Sequence, residues 1–182
     1  MRVLIFSSSP NTDGLTAACA TAALEGVQQA GGVAEEIRIN DLNIKSCEAC
    51  DDGWGTCRDD HLCNVLDDFQ ALHERTLKAD AYVFVTPVYW GDLSESMKAF
   101  TDRLRRCEAP RGDESGLCQK PVIMVAAAGG SGNGMITCLA SLERWIQHVR
   151  ARKSDFIPVN RWNREYKLET IRSASDAMIK SL

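Results

Sequence analysis

The stretch Val3-Leu4-Ile5-Phe6-Ser7-Ser8-Ser9-Pro10-Asn11-Thr12-Asp13-Gly14-Leu15-Thr16 decides how this chain folds. Its first four residues are apolar and partly β-branched, the pattern of a parallel strand buried on both faces. A hydroxyl-rich turn containing Pro10 and Gly14 follows. An amphipathic helix then begins, with Leu15, Ala18, Cys19, Ala22 and Gly26 on one face. A strand that runs through such a turn into a helix makes an anion site. The first helical N–H groups have no intrahelical partner, and the helix dipole favours negative charge there. Ser7, Ser9, Asn11 and Thr16 add side-chain donors, so a phosphate monoester is the expected ligand.

Other phosphate loops fit this stretch less well. It has no G-x-x-x-x-G-K-[ST] and no G-x-G-x-x-G, so neither a Walker NTPase nor a dinucleotide fingerprint is present. A serine-rich turn without lysine suits a phosphate that is bound and never transferred, and flavin mononucleotide (FMN) is such a ligand.

At 182 residues the chain has the length of one domain, with residues 40–66 as a cysteine-rich excursion from it. The net charge of −4 gives no basic footprint for nucleic acid or a membrane surface. No apolar run approaches the ~20 residues of a membrane-spanning helix. The N-terminus has no leader pattern, since Arg2 is followed by only four apolar residues before serine. A cytoplasmic location is therefore expected, and the eight cysteines should be free thiols, metal ligands or redox groups rather than a disulfide framework.

Strands and helices alternate along the chain. Strands are expected at Arg2–Phe6, Ala34–Ile39, Ala81–Thr86, Pro121–Ala127 and Asp155–Val159. Helices are expected at Leu15–Ala30, from the Asp67/Gln70 capping box to Ala79, from Ser94 to about Cys107, at Gly134–Ala151 and at Lys167–Leu182. This is the pattern of a doubly wound α/β fold: a five-stranded parallel sheet in the order 2-1-3-4-5, with helices on both faces. In that order the ligand sits at the carboxyl ends of strands 1 and 3. Two further loops should border it. Thr86-Pro87-Val88-Tyr89-Trp90-Gly91 supplies backbone donors and acceptors for a heterocycle edge, with two aromatics to pack on or cover the ring. Ala128-Gly129-Gly130, which opens a run with four glycines in residues 129–134, lets backbone approach a planar ligand.

Ser7-Ser8-Ser9-Pro10 with Gly14 and Thr16, Thr86-Pro87-Val88-Tyr89-Trp90-Gly91, and Gly129-Gly130 together resemble the NADPH-dependent FMN reductase group of flavodoxin-like proteins. Asp41-Leu42-Asn43-Ile44-Lys45 followed by Cys47 and Cys50 is similar to the iron–sulfur flavoprotein branch of that group. The likeness runs from about Arg2 to Val159. It implies a flavodoxin-like fold, non-covalent FMN, NAD(P)H or a redox carrier as electron donor, and a homodimer or homotetramer. It also implies that Ser7, Ser9, Pro10, Asn11, Gly14, Leu15, Thr16, Thr86 to Gly91, and Ala128 to Gly130 contact the cofactor. Two positions depart from the pattern: Asn11 stands where a basic residue is common, and Leu15 where asparagine is common.

Cys47, Cys50, Cys57 and Cys63 are a candidate ligand set, since closely spaced thiolates bind iron–sulfur clusters or zinc. The family's cluster-binding run is tighter. Here Asp51-Asp52-Gly53 replaces the near third cysteine, and the aspartates add negative charge. Free or reversibly oxidised thiols are therefore favoured over a [4Fe–4S] cluster or zinc. Cys19, Cys107 and Cys138 fall on inward helix faces and read as core. No catalytic side chain is expected, because the flavin would carry the chemistry. Two competing readings are an FMN electron carrier without nicotinamide oxidase activity and a flavin-free scaffold with a zinc knot.

Overall fold

A computed structural model describes residues 1–182. Strand β1 (Arg2–Ser7) leads to helix α1 (Leu15–Gln29) and strand β2 (Val33–Arg38). The excursion contains one irregular turn, α2 (Cys50–Gly53), and ends in α3 (Phe69–Leu77). Then come β3 (Ala81–Tyr89), the two-residue β4 (Asp92–Leu93), α4 (Glu95–Glu108), β5 (Pro121–Ala128), α5 (Met135–Val149), β6 (Arg152–Asn160) and α6 (Arg164–Lys180). No helix is long and apolar enough to cross a membrane.

The sheet order is β2-β1-β3-β5-β6, and all of these neighbours are parallel. The five expected parallel strands and their order are present. A sixth strand was not expected: β4 pairs antiparallel with an extended β3, placing Val88 opposite Leu93 and Tyr89 opposite Asp92. Pro87 to Tyr89 are thus strand rather than loop, and the turn is reduced to Trp90-Gly91. Both turn residues have positive φ, +52° for Trp90 and +81° for Gly91, as a tight hairpin matched to strand twist requires. The last helix runs about three residues earlier than expected and ends at Lys180, leaving Leu182 outside it and exposed.

Alternation along the strands divides the interior in two. Val3, Ile5, Val83, Val85, Ile123 and Val125 pack against α1 and α6. Leu4, Phe6, Tyr82, Phe84, Val122 and Met124 pack on the other face, with Phe69, Phe100, Leu104, Leu142 and Ile146 from α3, α4 and α5. Cys19, Cys107 and Cys138 are fully buried here, and burial pushes each thiol up to about 12. They are inert core residues, as their helix positions suggest.

The excursion is fastened to this second face by Arg103 of α4. Its guanidinium donates to Asp67 Oδ2 at 2.6 Å, the Lys45 carbonyl at 3.0 Å, the Val65 carbonyl at 2.7 Å and Cys63 Sγ at 3.3 Å. It also lies 4.3 Å from the centre of the Phe69 ring. Neither Arg103 nor Asp67 has exposed side-chain surface. Burial works against the Asp67 charge. Hydrogen bonds from Arg103, Lys45 N–H and Phe69 N–H, with the Arg103 charge, outweigh it and hold the carboxyl below its ordinary value. Asp67 also closes the expected box with Gln70, whose Oε1 accepts from Asp67 N–H at 3.2 Å.

Removing one partner leaves the other buried and uncompensated, which costs about 3–5 kcal/mol. Arg103→Met should therefore lower the melting temperature by about 10 °C. The sign with pH follows from the depressed carboxyl. Its contribution is complete above the ordinary aspartate range of about 4 and is lost as pH falls through the lower folded value. Urea midpoints measured across that range should converge for parent and Asp67→Asn only at the acid end.

Candidate functional site

Three turns leave the carboxyl ends of β1, β3 and β5 side by side. Ser7 is paired with Val85, and Thr86 with Ala126. The first turn begins with Ser8, whose N–H donates to the Val85 carbonyl at 3.2 Å. Helix α1 opens at Gly14 with no side-chain cap, so its first amides keep their donors free. Within the turn, Asn11 N–H donates to Ser9 Oγ at 3.2 Å. Thr16 is buried in the first turn of the helix. Pro10 and Asn11 are exposed, and Ser9, Gly14 and Leu15 are half-buried.

Two of the candidate hydroxyls are engaged within the protein. Ser7 donates to Glu36 Oε1 at 2.7 Å. Thr86 Oγ1 accepts from Ser94 N–H at 3.1 Å and lies 3.0 Å from the Pro87 carbonyl. Ser8 and Ser94, which sequence reasoning passed over as site residues, join the first two turns. The Ser94 hydroxyl is 2.8 Å from Ser8 Oγ and 3.2 Å from the Ser8 carbonyl. It also accepts from Met97 N–H as the N-cap of α4, a role that the Ser94-Glu95 start did signal.

The hairpin and the glycine turn meet directly. Thr137 Oγ1 donates to the Gly91 carbonyl at 2.7 Å. A Cβ on Gly134 would stand 2.7 Å from Gly91 Cα, so both positions must stay glycine for the turns to touch. By contrast, a Cβ on Gly129 or Gly130 would meet nothing within 4 Å. These two residues border open space, although their neighbour Ala128 is buried. Trp90, in the hairpin at this end of the sheet, is fully exposed and held at a positive φ. Such backbone strain in a bulky residue costs on the order of 1–3 kcal/mol and concentrates at ligand sites.

The cysteines behave differently from what their spacing suggests. Cys57 is displaced in sequence, yet Cys47, Cys50, Cys57 and Cys63 all line one cavity beneath α4. Gly55 makes this possible: its hypothetical Cβ would lie 3.0 Å from both Cys50 Cβ and Asn64 Nδ2. The cavity has about 10 Å³ of free space, roughly one water-sized sphere. No three His, Cys, Asp or Glu side chains stand at metal-ligand spacing, so ligation would require the cysteine side chains to turn inward. Arg103 and Arg106 line the same cavity. His61, the histidine within the excursion, keeps a buried Nδ1 without a partner but does not line it. His73 is buried and hydrogen-bonded to Glu108 Oε1 at 2.8 Å, while His148 is exposed.

This sheet order, with three turns meeting at the β1/β3 switch point, defines a flavodoxin-like protein. The NAD(P)H:quinone oxidoreductase from Methanothermobacter marburgensis superposes with a TM-score of 0.73 at 20% identity, over 98% of this chain and 96% of that one. The chain belongs to the NADPH-dependent FMN reductase family, whose sequence model matches residues 1–155. An iron-sulfur flavoprotein of Methanosarcina thermophila is 29% identical over 150 residues, covering 80% of this chain and 73% of the relative. A second iron-sulfur flavoprotein, MJ1083 of Methanocaldococcus jannaschii, is 29% identical over 105 residues, 58% of this chain. The chain spans about half the length of that relative (52%).

The open space at Gly130 sets up a clean experiment. A Cβ there meets no protein atom within 4 Å, so Gly130→Val should keep the parent melting temperature and lose bound flavin. Normal flavin content and turnover would show that this turn does not border the ring.

Proposed function

We propose that the chain is an FMN-dependent oxidoreductase that accepts electrons from a reduced nicotinamide and delivers them to a second acceptor. The observation that carries this reading is the meeting of the uncapped α1 start, the Trp90-Gly91 hairpin and the open Gly129-Gly130 turn at one end of the sheet. The family, and the NAD(P)H:quinone oxidoreductase that shares the fold, support the same chemistry. Bound FMN would supply the two-electron chemistry.

The chain's own residues bind and orient. The free amides of the α1 start, with the Ser9 and Thr16 hydroxyls, hold the phosphate without any lysine or arginine. The backbone of Pro87 to Gly91 and of Ala128 to Gly130 would border the ring, with N–H groups from the residues after Pro87 to offset negative charge on it. The Trp90 indole would cover one edge. Ser8, Ser94 and Thr137 keep the three turns in register.

The four cysteines of the excursion line one cavity, but their side chains do not stand at metal-ligand spacing and the cavity has about 10 Å³ of free space. We therefore read Cys47, Cys50, Cys57 and Cys63 as free or reversibly oxidised thiols. The alternative is a thiolate-bound iron–sulfur or zinc centre, which the names of the iron-sulfur flavoprotein relatives support.

Apo-protein titrated with FMN, FAD and riboflavin should bind FMN most tightly; equal or better FAD binding overturns the phosphate assignment. Thr16→Val should weaken FMN by roughly 1.5–3 kcal/mol, about 10- to 150-fold, and leave riboflavin nearly unchanged. The FMN-loaded protein should oxidise NADPH with a quinone or free flavin as acceptor. Failure to do so, with FMN bound, would support the carrier reading. Purified protein should keep FMN with no stoichiometric iron, and Cys50→Ser should leave flavin binding intact. Stoichiometric iron after anaerobic purification, or zinc whose loss in Cys50→Ser lowers the melting temperature, would show a metal centre instead.

A further inference from the structure

A fourth turn, Asn160-Arg161-Trp162-Asn163-Arg164, joins β6 to α6. Because β6 runs parallel to β5, this turn stands at the same end of the sheet as the other three. It lies past residue 155, where the match to the family model ends. Its backbone is fixed by two asparagines. Asn160 Oδ1 accepts from the N–H groups of Trp162 and Asn163, each at 3.0 Å, and Asn163 Oδ1 accepts from Asn160 N–H at 2.7 Å. The Trp162 indole rests on the glycine turn: a Cβ on Gly132, whose φ is +71°, would stand 2.6 Å from Trp162 Cζ3. Gly134 of that same turn touches Gly91 of the hairpin. The indole is thus tied to the turn that holds the open space at Gly129 and Gly130.

A tryptophan in a core is explained by its packing, but Trp162 remains 65% exposed. The Arg161 guanidinium lies over it, 4.4 Å from the ring centre. Arg164 is also exposed and sits on the α1 side, close enough for its charge to act on the Cys19 thiol. Arg172, further along α6, is paired with Glu25 and Glu169, whereas Arg161 and Arg164 have no carboxylate partner. On a chain of net charge −4 this is a local excess of positive charge. A guanidinium stacked on an aromatic ring keeps its forked N–H groups for a phosphate, and an indole offers a π face to a purine. A purine and a phosphate held side by side match the adenosine half of a dinucleotide. Arginine is also the side chain that accommodates a ribose 2′-phosphate.

We propose that the β6–α6 turn binds the 2′-phosphoadenosine half of NADPH: Trp162 stacks on the adenine, Arg161 takes the 2′-phosphate, and Arg164 adds positive charge for the remaining phosphates. The nicotinamide end is then directed toward Gly129 and Gly130. This rests on the reading of the chain as a reductase fed by a reduced nicotinamide, and it makes the turn the element that selects NADPH over NADH. FMN has no adenosine, so the two ligands do not compete for this turn.

The test uses FMN-loaded full-length protein with adenosine 2′,5′-bisphosphate as the probe, binding being read by calorimetry without turnover. The parent should bind the bisphosphate about tenfold or more tightly than 5′-AMP, and the bisphosphate should compete with NADPH. Arg161→Gln should weaken the bisphosphate by about the same factor and lower the ratio of kcat/KM for NADPH over NADH to match, mainly through KM. Trp162→Ala should weaken bisphosphate and AMP alike, and Trp162→Phe should recover part of the loss, with parent flavin content in each variant. If Trp162→Ala loosens the glycine turn and loses flavin, Arg161→Gln decides, since Arg161 is exposed and packs in no core. If the FMN-loaded parent oxidises neither NADPH nor NADH and does not bind the bisphosphate, the reductase reading fails and this proposal with it. If the parent oxidises NADPH and Arg161→Gln keeps its KM and its preference over NADH, the reductase reading stands and the site assigned to the donor is wrong. Bisphosphate binding that disappears when FMN is loaded would put the probe in the cofactor's phosphate turn and overturn the assignment as well.

Discussion

The buried pair of Arg103 and Asp67 holds the excursion together. A 27-residue departure from a compact sheet, residues 40–66, has no regular ladder of its own and must find partners for its backbone elsewhere. Arg103 satisfies the carbonyls of Lys45 and Val65, touches the sulfur of Cys63 and neutralises Asp67, all from one turn of α4. Asp67 in turn receives the amides of Lys45 and Phe69. Both ends of the loop are therefore tied to one side chain. A hydrophobic plug of equal volume could fill the space but could not answer four polar groups at once, so a fully buried charge pair persists despite its desolvation cost.

Helix α4 consequently links two regions. Its N-cap, Ser94, contacts the turn after β1, and Arg103 and Arg106 line the cysteine cavity. The separation along the helix from Ser94 to Arg103 is roughly 13 Å at 1.5 Å per residue. The two regions share a rigid element packed by Met97, Phe100 and Leu104, which carry no exposed surface.

The fold was legible because its signals are local. Apolar runs such as Val3–Phe6 and Ala81–Val85 can only be buried strands, and the glycine turn and the capping box each occupy a few consecutive residues. Strand β4 was not legible: two residues, Asp92 and Leu93, carry no period, and their strand character exists only through pairing with Val88 and Tyr89. The same holds for side-chain commitments. Nothing adjacent to Ser7 indicates that its hydroxyl goes to Glu36 on the next strand, and nothing adjacent to Thr86 announces Ser94. The cysteine cavity was half legible. Four thiols in seventeen residues stood out, but spacing along a chain is a poor guide to spacing in space when a glycine, Gly55, lets the loop fold back on itself. Arg103 and Arg106 were invisible as partners of that loop, lying some forty residues away on an amphipathic helix where arginine is unremarked.

The open ends of the sheet have a consequence for the protein in concentrated solution. Parallel sheets of this kind do not close, so β2 and β6 each leave a row of unpaired backbone groups at the rim. An unguarded rim recruits strands from other chains. Here β2 carries Glu35, ion-paired with Arg2 and Arg75, and Glu36 beside it. The first half of β6 is Arg152-Lys153-Ser154-Asp155, with Lys153 tied to Glu143. An incoming strand would have to strip water from fixed charges at both rims, which biases the chain against cross-β association without any covering segment.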